Sequence, residues 1–401
     1  MNMEMLNLKK NYLRRILDIS LNNQNYSTII FYASFSLDEI KPIIEELKDE
    51  YHIKNVIFMD FDYDKIKAFY DSNPSEKEME MFIPKFLEPI GNVKCIYFQN
   101  TVTDFSDVYF SDYVIKYYRC LKESNKEVFN KMENLSGCDQ TLTICPNREW
   151  AEGLFGSKED LDNLWIKINR IFLNSSEEKR EMENRINLMN ELNRMNIRKL
   201  NFCTNLGTDF RISLNPHSIW CCTSYNYNGI FNFDNYPSYE IYTSPNCYSA
   251  EGKIVLSKKS RFYYDDMIEN ATFEFTRGRL INCKSNSKSF IAMLLNERNQ
   301  MNRIGEIALV SQDSPLAQFN EFFDSVVLDE NTGCHFALGN SIEECIGVDK
   351  KKIEEKGARY YRYNTSREHN DFVFGNDSVF VEAETKSKKK ILLMENGKWK
   401  I

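Results

Sequence analysis

Histidine is scarce in this 401-residue sequence, and its placement is therefore informative. The four histidines are His52, His217, His335 and His369. His369 lies in REHNDFVFG with Asp371 two positions on, and residues i and i+2 of a strand point to the same face. Such a strand presents an imidazole beside a carboxylate, as a metal site or a His–Asp pair requires. His335 lies in a second strand-like stretch, GCHFALG. An isolated H-x-D pair is also common on surfaces, so this pattern alone leaves both interpretations open.

Two carboxylates occur where a core strand should be apolar. IGEIALV carries Glu306, whose strand face also holds Ala308, and YEIYTSP carries Glu240. A buried, unpaired carboxylate is costly, so each must become neutral, pair with a charge or bind a cation. The alternative for each is a half-exposed strand on which the Glu faces water. Taken with the two histidines and Asp371, this mixture of oxygen and imidazole ligands favours Zn²⁺, Mn²⁺ or Co²⁺ over a thiolate site.

Alternating strand and helix patterns fill the first third of the chain, before these residues. β-rich runs at 26–34, 55–60, 93–99 and 141–145 alternate with helical segments such as 37–51. The alternation predicts βαβ units and an α/β N-terminal domain with a largely parallel sheet. No glycine-rich phosphate-binding motif follows any of these strands, which argues against dinucleotide and P-loop nucleotide sites.

The pattern changes in the middle of the chain. Residues 157–200 have helical spacing, which predicts a connecting helix pair. From about residue 200, short alternating runs broken by Gly, Asn and Asp predict antiparallel strands and hairpins. We therefore predict two domains, 1–185 (the α/β domain with its connecting helices) and 186–401 (a β-rich α+β catalytic domain that carries the metal ligands).

Composition limits the partners and the compartment. Lys and Arg number 51 against 59 Asp and Glu, a net charge of −8, which argues against binding to nucleic acid or to an anionic membrane. No run approaches the roughly 18 apolar residues of a membrane helix, and no secretory signal is recognisable. The eleven cysteines are odd in number and irregularly spaced. We expect reduced thiols and a cytoplasmic protein.

Four blocks of the sequence resemble the thermophilic-type metallo-aminopeptidases, the family of aminopeptidase T and aminopeptidase S. IGEIALVSQDSPLAQFNEFFDSVVLDENTGCHFALG is similar to that family's GEIALV…DENxxCHxALG. NYPSYEIYTSPN resembles NxPxEEVFTxPD, and SREHNDFVFG resembles SxxHxDFMIG. Weaker similarities, such as PNREWAEGLFG, extend the resemblance over about residues 145–376. The N-terminal third matches only in its α/β pattern and length.

The resemblance implies hydrolysis of the N-terminal residue of short peptides at a site with two divalent metal ions (Zn, Co, Mn or Mg). Glu306 would be the carboxylate shared between the metals and would also shuttle a proton. Tyr239 replaces one Glu of the family's EE pair. The resemblance further implies a homodimer that encloses the sites. Carried over position by position, the metal ligands are Glu240, Glu306, His335, His369 and Asp371, with Glu330 as a sixth candidate that could instead be a loop carboxylate.

One departure from the family bears on catalysis. The family has a Tyr three residues after the Gly of CHxALG, where its hydroxyl is thought to assist catalysis, and this chain has Ile342. We expect metal binding to survive and hydrolysis to be slow, unless a nearby Tyr supplies the donor. The alternatives are a weakened or inactive metal-binding protein with a regulatory role, and a different metallo-hydrolase acting on an ester or amide.

Overall fold

The computed structural model describes residues 3–99, 112–135, 139–172, 175–222, 224–227, 230–233, 235–262, 266–296 and 300–401. The chain forms two compact units, one of residues 1–175 with 224–237 and one of residues 176–223 with 238–401. The fold is mixed α/β, with one parallel sheet and several antiparallel sheets. No helix in the described part of the chain is long and apolar enough to cross a membrane.

A five-stranded parallel sheet forms the centre of the first unit. Its strands, in spatial order, are Asn55–Asp60, Thr28–Ala33, Val93–Gln99, Gln140–Ile144 and Asn235–Tyr236. All neighbouring pairs are parallel. The strand Thr28–Ala33, which has a neighbour on each side, is almost wholly buried, as expected where helices cover a parallel sheet. The predicted parallel sheet is confirmed, and its first four strands match the predicted runs.

Helices connect these strands, and their ends follow local capping rules. Ser75 makes a capping box with Glu78 at the start of one helix. Another helix ends at Gly156, whose left-handed backbone (φ +84°) suits glycine. The predicted helix over 37–51 is shorter in the structure. The helices of this unit are Met3–Leu21, Lys41–Leu47, Tyr63–Asp71, Glu76–Phe82, Asp112–Ser124, Lys126–Glu133, Arg148–Phe155 and Leu161–Ile171, and a hairpin of Ser224–Tyr227 with Ile230–Phe233 completes it.

The units divide elsewhere than the predicted 185/186 boundary, which falls inside the helix Ser175–Arg194. That helix belongs to the second unit from Ser176 onward. Residues 224–237 return to the first unit because Asn235–Tyr236 adds the fifth strand of its sheet. Local sequence patterns predict individual helices and strands. The return of residues 224–237 to the first unit instead depends on strand pairing between segments that are distant in the sequence.

Two antiparallel sheets dominate the second unit. The larger has the strand order Arg279–Lys284, Thr272–Thr276, Glu251–Val255, Asp209–Ser213, Ile197–Cys203, Phe380–Thr385, Lys390–Glu395 and Lys398–Trp399. The smaller, called the site sheet below, has the order Ile241–Thr243, Ile304–Leu309, His335–Gly339 and His369–Val373. A two-stranded ribbon pairs Ser260–Phe262 with Asp266–Ile268. The remaining α-helices are Lys288–Leu294, Val326–Asp329 and Lys350–Lys356, with 3₁₀ turns including Glu330–Thr332 and Glu343–Cys345.

Aromatic side chains join the two sheets into one core. Phe336 of the site sheet makes edge contacts with Phe273 and Phe275 of the larger sheet, at centroid distances of 5.3 and 6.3 Å. Phe372 lies beside it on the next strand, and Phe374 lies just beyond the end of that strand. All five rings are buried. This core fixes one face of the site sheet.

The ten cysteines that the structure describes are all free thiols. Cys138 lies outside the described residues. Reduced thiols are therefore what the described part of the chain contains, while the cytoplasmic location stays an expectation from the sequence.

Replacing Phe336 by Ala should destabilise the second unit. Removing a buried aromatic ring costs about 3–5 kcal/mol, since the lost contacts leave a cavity. Denaturant unfolding followed by fluorescence measures this loss. Ile281→Ala is the control, because Ile281 lies on a strand of the same unit but is 59% exposed. It should change the free energy of unfolding by less than about 0.5 kcal/mol. Equal effects of the two substitutions would contradict this description of the core.

Candidate metal site

The register of the site sheet places the predicted ligands on one face. Glu306 lies opposite Ala337, and Ala337 lies opposite Asp371 on the next strand. His335 lies two residues before Ala337 and therefore shares its face. His369 bears the same relation to Asp371. Four of the six candidates thus project from three neighbouring strands toward one volume.

Glu240 reaches the same volume from the fourth strand. It directly precedes Ile241–Thr243, and Tyr242, two residues on, pairs with Ala308. Ala308 in turn pairs with His335. Glu240 is 4% exposed and Glu306 is 4% exposed, so both carboxylates are buried. The half-exposed strand that would leave each Glu facing water is not what the structure shows.

Small residues alternate with the ligands on this face. Ala308 and Ala337 lie between the charged side chains and leave room beside them. Gly339, at the end of its strand, has φ +112°, and a Cβ there would lie 2.1 Å from the carbonyl oxygen of Glu368. Only glycine permits the two strands to approach this closely where His369 begins its strand.

Two histidine–carboxylate pairs form in this volume. His335 Nε2 lies 3.0 Å from Glu240 Oε2. His369 Nε2 lies 2.9 Å from Glu306 Oε2 and 3.5 Å from Asp371 Oδ1. The sheet therefore brings together five of the six predicted residues.

Backbone carbonyls orient both imidazoles. His335 Nδ1 lies 3.2 Å from the carbonyl oxygen of Gly333, and His369 Nδ1 lies 2.9 Å from that of Asn340. A carbonyl oxygen only accepts, so Nδ1 is the donor in each ring and Nε2 faces the carboxylates. Metal-binding histidines are commonly held in this way, because the outer hydrogen bond fixes the tautomer and the ring orientation.

The charges of the cluster keep both imidazoles protonated without a metal. Burial lowers the pKa of His335, but its hydrogen bond to Glu240 and the surrounding carboxylates outweigh burial and raise it to about 9. Burial is likewise outweighed at His369, where Asp371 and Glu306 raise the pKa well above its usual value. A proton on each Nε2 thus occupies the position between nitrogen and carboxylate that a metal cation could take.

The ligand atoms form two groups that share a member. One is Glu240, Glu306 and His335, and the other is Glu306, His369 and Asp371. Within each group the atoms lie within 4.8 Å of one another. Asp371 Oδ1 is buried and makes no hydrogen bond within the described structure. Such an oxygen, with two imidazoles and two further carboxylates, suits a divalent cation of the Zn²⁺, Co²⁺ or Mn²⁺ type.

Glu330, the sixth candidate, belongs to neither group. It begins the 3₁₀ turn Glu330–Thr332 rather than lying on a strand of the site sheet. Burial raises the pKa of its carboxyl well above the usual value, and the charges of Glu240, Asp371 and Glu306 raise it further. A ligand role for Glu330 stays a prediction.

Polar residues that the sequence patterns did not indicate support Glu240. Ser238 Oγ donates to Glu240 Oε1 over 3.3 Å. Asn331 Oδ1 accepts from the backbone nitrogen of Tyr239, and its Nδ2 donates to the Val327 carbonyl over 3.0 Å. Asn331 is fully buried and ties the segment before Ile241–Thr243 to the segment before His335. The location of Asn331 in the DENTGCH block, between two candidate ligands, was the only indication in the sequence. Its hydrogen bond to the Tyr239 backbone is visible only in the folded structure.

Tyr239, which replaces a family Glu, takes part in a separate buried network. Its hydroxyl donates to Glu178 over 3.0 Å, and Arg185 Nη2 lies 3.3 Å from the same carboxylate group. Glu178 and Arg185 both come from the helix Ser175–Arg194. The residue at position 239 is thus bound to this helix and is absent from both ligand groups.

The chain is similar to a known family of metallopeptidases. The model of the family described as "Thermophilic metalloprotease (M29)" matches residues 109–399. The chain belongs to this family. The match covers most of the chain and includes every predicted ligand, so the resemblance inferred from the four sequence blocks is confirmed.

Two aminopeptidases are similar to parts of the chain. Aminopeptidase AmpS of Bacillus subtilis (strain 168) is 31% identical over 199 residues, which cover 48% of this chain and 47% of that protein. Aminopeptidase 2 of Geobacillus stearothermophilus is 27% identical over 275 residues, covering 65% of this chain and 64% of that protein. The chain thus spans about half to two thirds of the length of the curated relatives it matches.

A solved structure matches over nearly the whole chain. It is described as wild-type AmpT from Thermus thermophilus, and the superposition has a TM-score of 0.75. The match covers 99% of both chains at 18% sequence identity. At this identity the likeness establishes the fold, including the first third, where the sequence resemblance was weakest.

Metal loading of the metal-free protein should release protons at pH 7. His335 and His369 carry raised pKa values there, and an imidazole must lose its Nε2 proton to bind a metal. Apparent metal affinity should therefore rise as the pH rises from 6 toward about 9. Calorimetric titrations with Zn²⁺ in two buffers of different ionisation enthalpy measure the protons released. Identical heats in both buffers would contradict the protonated pairs.

Proposed function

We propose that this protein is a metal-dependent aminopeptidase that removes the N-terminal residue of short peptides at a two-metal site. The observation that carries the proposal is the position of Glu306. This buried carboxylate belongs to both ligand groups and lies against His369 of one of them. Family membership supports the peptidase assignment, and the aminopeptidase names of the relatives support the choice of the N-terminal bond.

The ligand set divides between two ions in this proposal. Glu240 and His335 would hold one ion, His369 and Asp371 would hold the other, and Glu306, which belongs to both groups, would serve both. Imidazole and carboxylate ligands together favour Zn²⁺, Co²⁺ or Mn²⁺, whereas Mg²⁺ prefers oxygen ligands and water. Glu330, whose buried carboxyl interacts with Glu240, Asp371 and Glu306, remains the sixth candidate ligand.

When bound, divalent ions supply a water of lowered pKa and polarise the scissile carbonyl. The chain supplies orientation and proton transfer. Gly333 and Asn340 hold the two imidazoles through their carbonyls, so the ring nitrogens face the reacting volume. We assign Glu306 the role of taking a proton from the attacking water and passing it to the leaving amine.

The acidic cluster also suits a free α-amine. Glu240, Glu306 and Asp371 bring three negative charges into one buried volume, against two divalent ions. A substrate amine that binds an ion or a carboxylate there would restrict cleavage to the first residue. We further propose, from the family resemblance, that the protein is a homodimer.

The histidine of the second group is expected to hold one metal ion. His369→Ala should lose at least one metal equivalent after dialysis, measured by mass spectrometry of metals. Hydrolysis of an aminoacyl-anilide should fall by roughly 10²-fold or more, as expected when several kcal/mol of transition-state stabilisation are lost. His217→Ala is the control, because His217 is exposed and outside both groups. Full metal content in His369→Ala would contradict the assignment.

The same assay should use an N-acetylated anilide as the second substrate. An aminopeptidase requires the free amine, so acetylation should abolish hydrolysis. Equal hydrolysis of both substrates would favour an amidase of another specificity. A wild-type protein that holds two metals and cleaves neither substrate would favour the inactive metal-binding alternative.

Glu306 and Asp371 should differ in the number of metal ions that they control. Glu306→Gln removes the shared carboxylate, so both metal equivalents should be lost or strongly weakened. Asp371→Asn affects one group and should cost one equivalent. Glu274→Gln, on a strand outside the site sheet, is the control and should retain both. If Glu306→Gln and Asp371→Asn each lose one equivalent, Glu306 does not bridge.

A further inference from the structure

Tyr242 projects its side chain toward the metal site. It lies directly opposite Ala308, and Ala308 lies opposite His335, so the three side chains share one face of the site sheet. Tyr242 is also two residues beyond Glu240 on the same segment, which again places both on that face. The phenol therefore stands at the edge of the ligand groups.

The Tyr242 hydroxyl has no hydrogen-bond partner among the described residues. The backbone of Tyr242 pairs with Cys221, and Cys345 Sγ lies 3.8 Å from the Tyr242 carbonyl oxygen. The side chain is partly exposed, unlike its strand neighbours Ile241 and Thr243. A partly exposed phenol on the ligand face is thus free to donate to a bound molecule.

Position 342 lies beside the same segment. Ser244 Oγ accepts from the backbone nitrogen of Ile342 over 2.8 Å and donates to its carbonyl over 3.3 Å. Tyr242 is two residues before Ser244, and Cys345, three residues after Ile342, contacts Tyr242. Position 342 of this chain is Ile, which carries no hydroxyl, whereas the adjacent segment carries Tyr242.

We propose that Tyr242 donates a hydrogen bond to the oxyanion of the tetrahedral intermediate, a catalytic role that rests on the proposed aminopeptidase function. Attack of water on the peptide carbonyl forms a C–O bond and converts the carbonyl oxygen into an oxyanion. The phenol keeps its proton and only donates its O–H. No proton or electron is transferred to or from Tyr242, and the proton of the attacking water goes to the leaving amine through Glu306.

Removing this hydroxyl tests the proposal in the metal-loaded protein. Tyr242→Phe should lower kcat by roughly 10²–10³-fold, the usual effect of losing one oxyanion donor. KM should change by less than about threefold, because the bond is made mainly in the transition state. Affinity for an α-aminophosphonate, a tetrahedral analogue with a free amine, should fall by a similar factor in calorimetry. Metal content should equal that of the wild type.

Two further variants complete the test. Tyr363→Phe removes a hydroxyl that lies 3.2 Å from Ser218 Oγ in the same unit, and it should leave kcat and analogue affinity nearly unchanged. Ile342→Tyr in the wild-type background should raise kcat by less than about threefold, because Tyr242 already supplies the donor. A gain of about 10²-fold in Ile342→Tyr would overturn the role of Tyr242.

The outcomes separate the two proposals. Hydrolysis and analogue binding that are unchanged in Tyr242→Phe would overturn the Tyr242 role alone. A wild type that fails to hydrolyse peptides but binds the analogue through Tyr242 would overturn the aminopeptidase function alone. A wild type that neither hydrolyses peptides nor binds the analogue would overturn both.

Discussion

Burying several like charges together is unfavourable, and the rest of this structure depends on how that repulsion is compensated. Glu240, Glu306 and Asp371 lie in one volume, and like charges at such distances repel strongly in a medium of low dielectric constant. Two histidines supply the compensating positive charge, and burial alone would work against their protonation. In the function proposed above, divalent cations would replace the two protons and bind the same oxygens and nitrogens. Without a cation, a buried cluster of this kind contributes little to the stability of the fold, but its donor atoms suit a divalent cation.

The two faces of the site sheet have different roles: one carries the charged cluster and the other packs into the hydrophobic core. Phe336 and Phe372 alternate with the ligands and pack into the core, so the strands that carry His335 and Asp371 are held rigidly. Ligands on regular strands keep their geometry better than ligands on loops. Asn331 adds a second restraint, because it ties the backbone beside Glu240 to the turn before His335. The same strand face carries Tyr242, which places a hydroxyl next to the ligands at no cost to the core.

The sequence predicted much of this site because strand periodicity is a local property. The spacing of His369 and Asp371, and Glu306 within an apolar run, follow directly from the period of two. The family resemblance connected these residues to Glu240. The pairing across strands could not be predicted from the sequence. Glu306, Ala337 and Asp371 are neighbours on three adjacent strands only because distant segments set the register of the sheet. The return of residues 224–237 to the first unit, and the partners of Asn331 and Tyr239, depend on the same long-range pairing.

The most direct test of the central claim is a crystal structure of the Zn²⁺-loaded protein with diffraction data collected on both sides of the zinc absorption edge. We expect two anomalous peaks about 3.5–4 Å apart, as in two-metal hydrolytic sites. Glu306 should lie between them, with Glu240 and His335 at one peak and His369 and Asp371 at the other. A single peak, or two peaks with Glu306 bound to only one, would contradict the shared carboxylate on which this account depends.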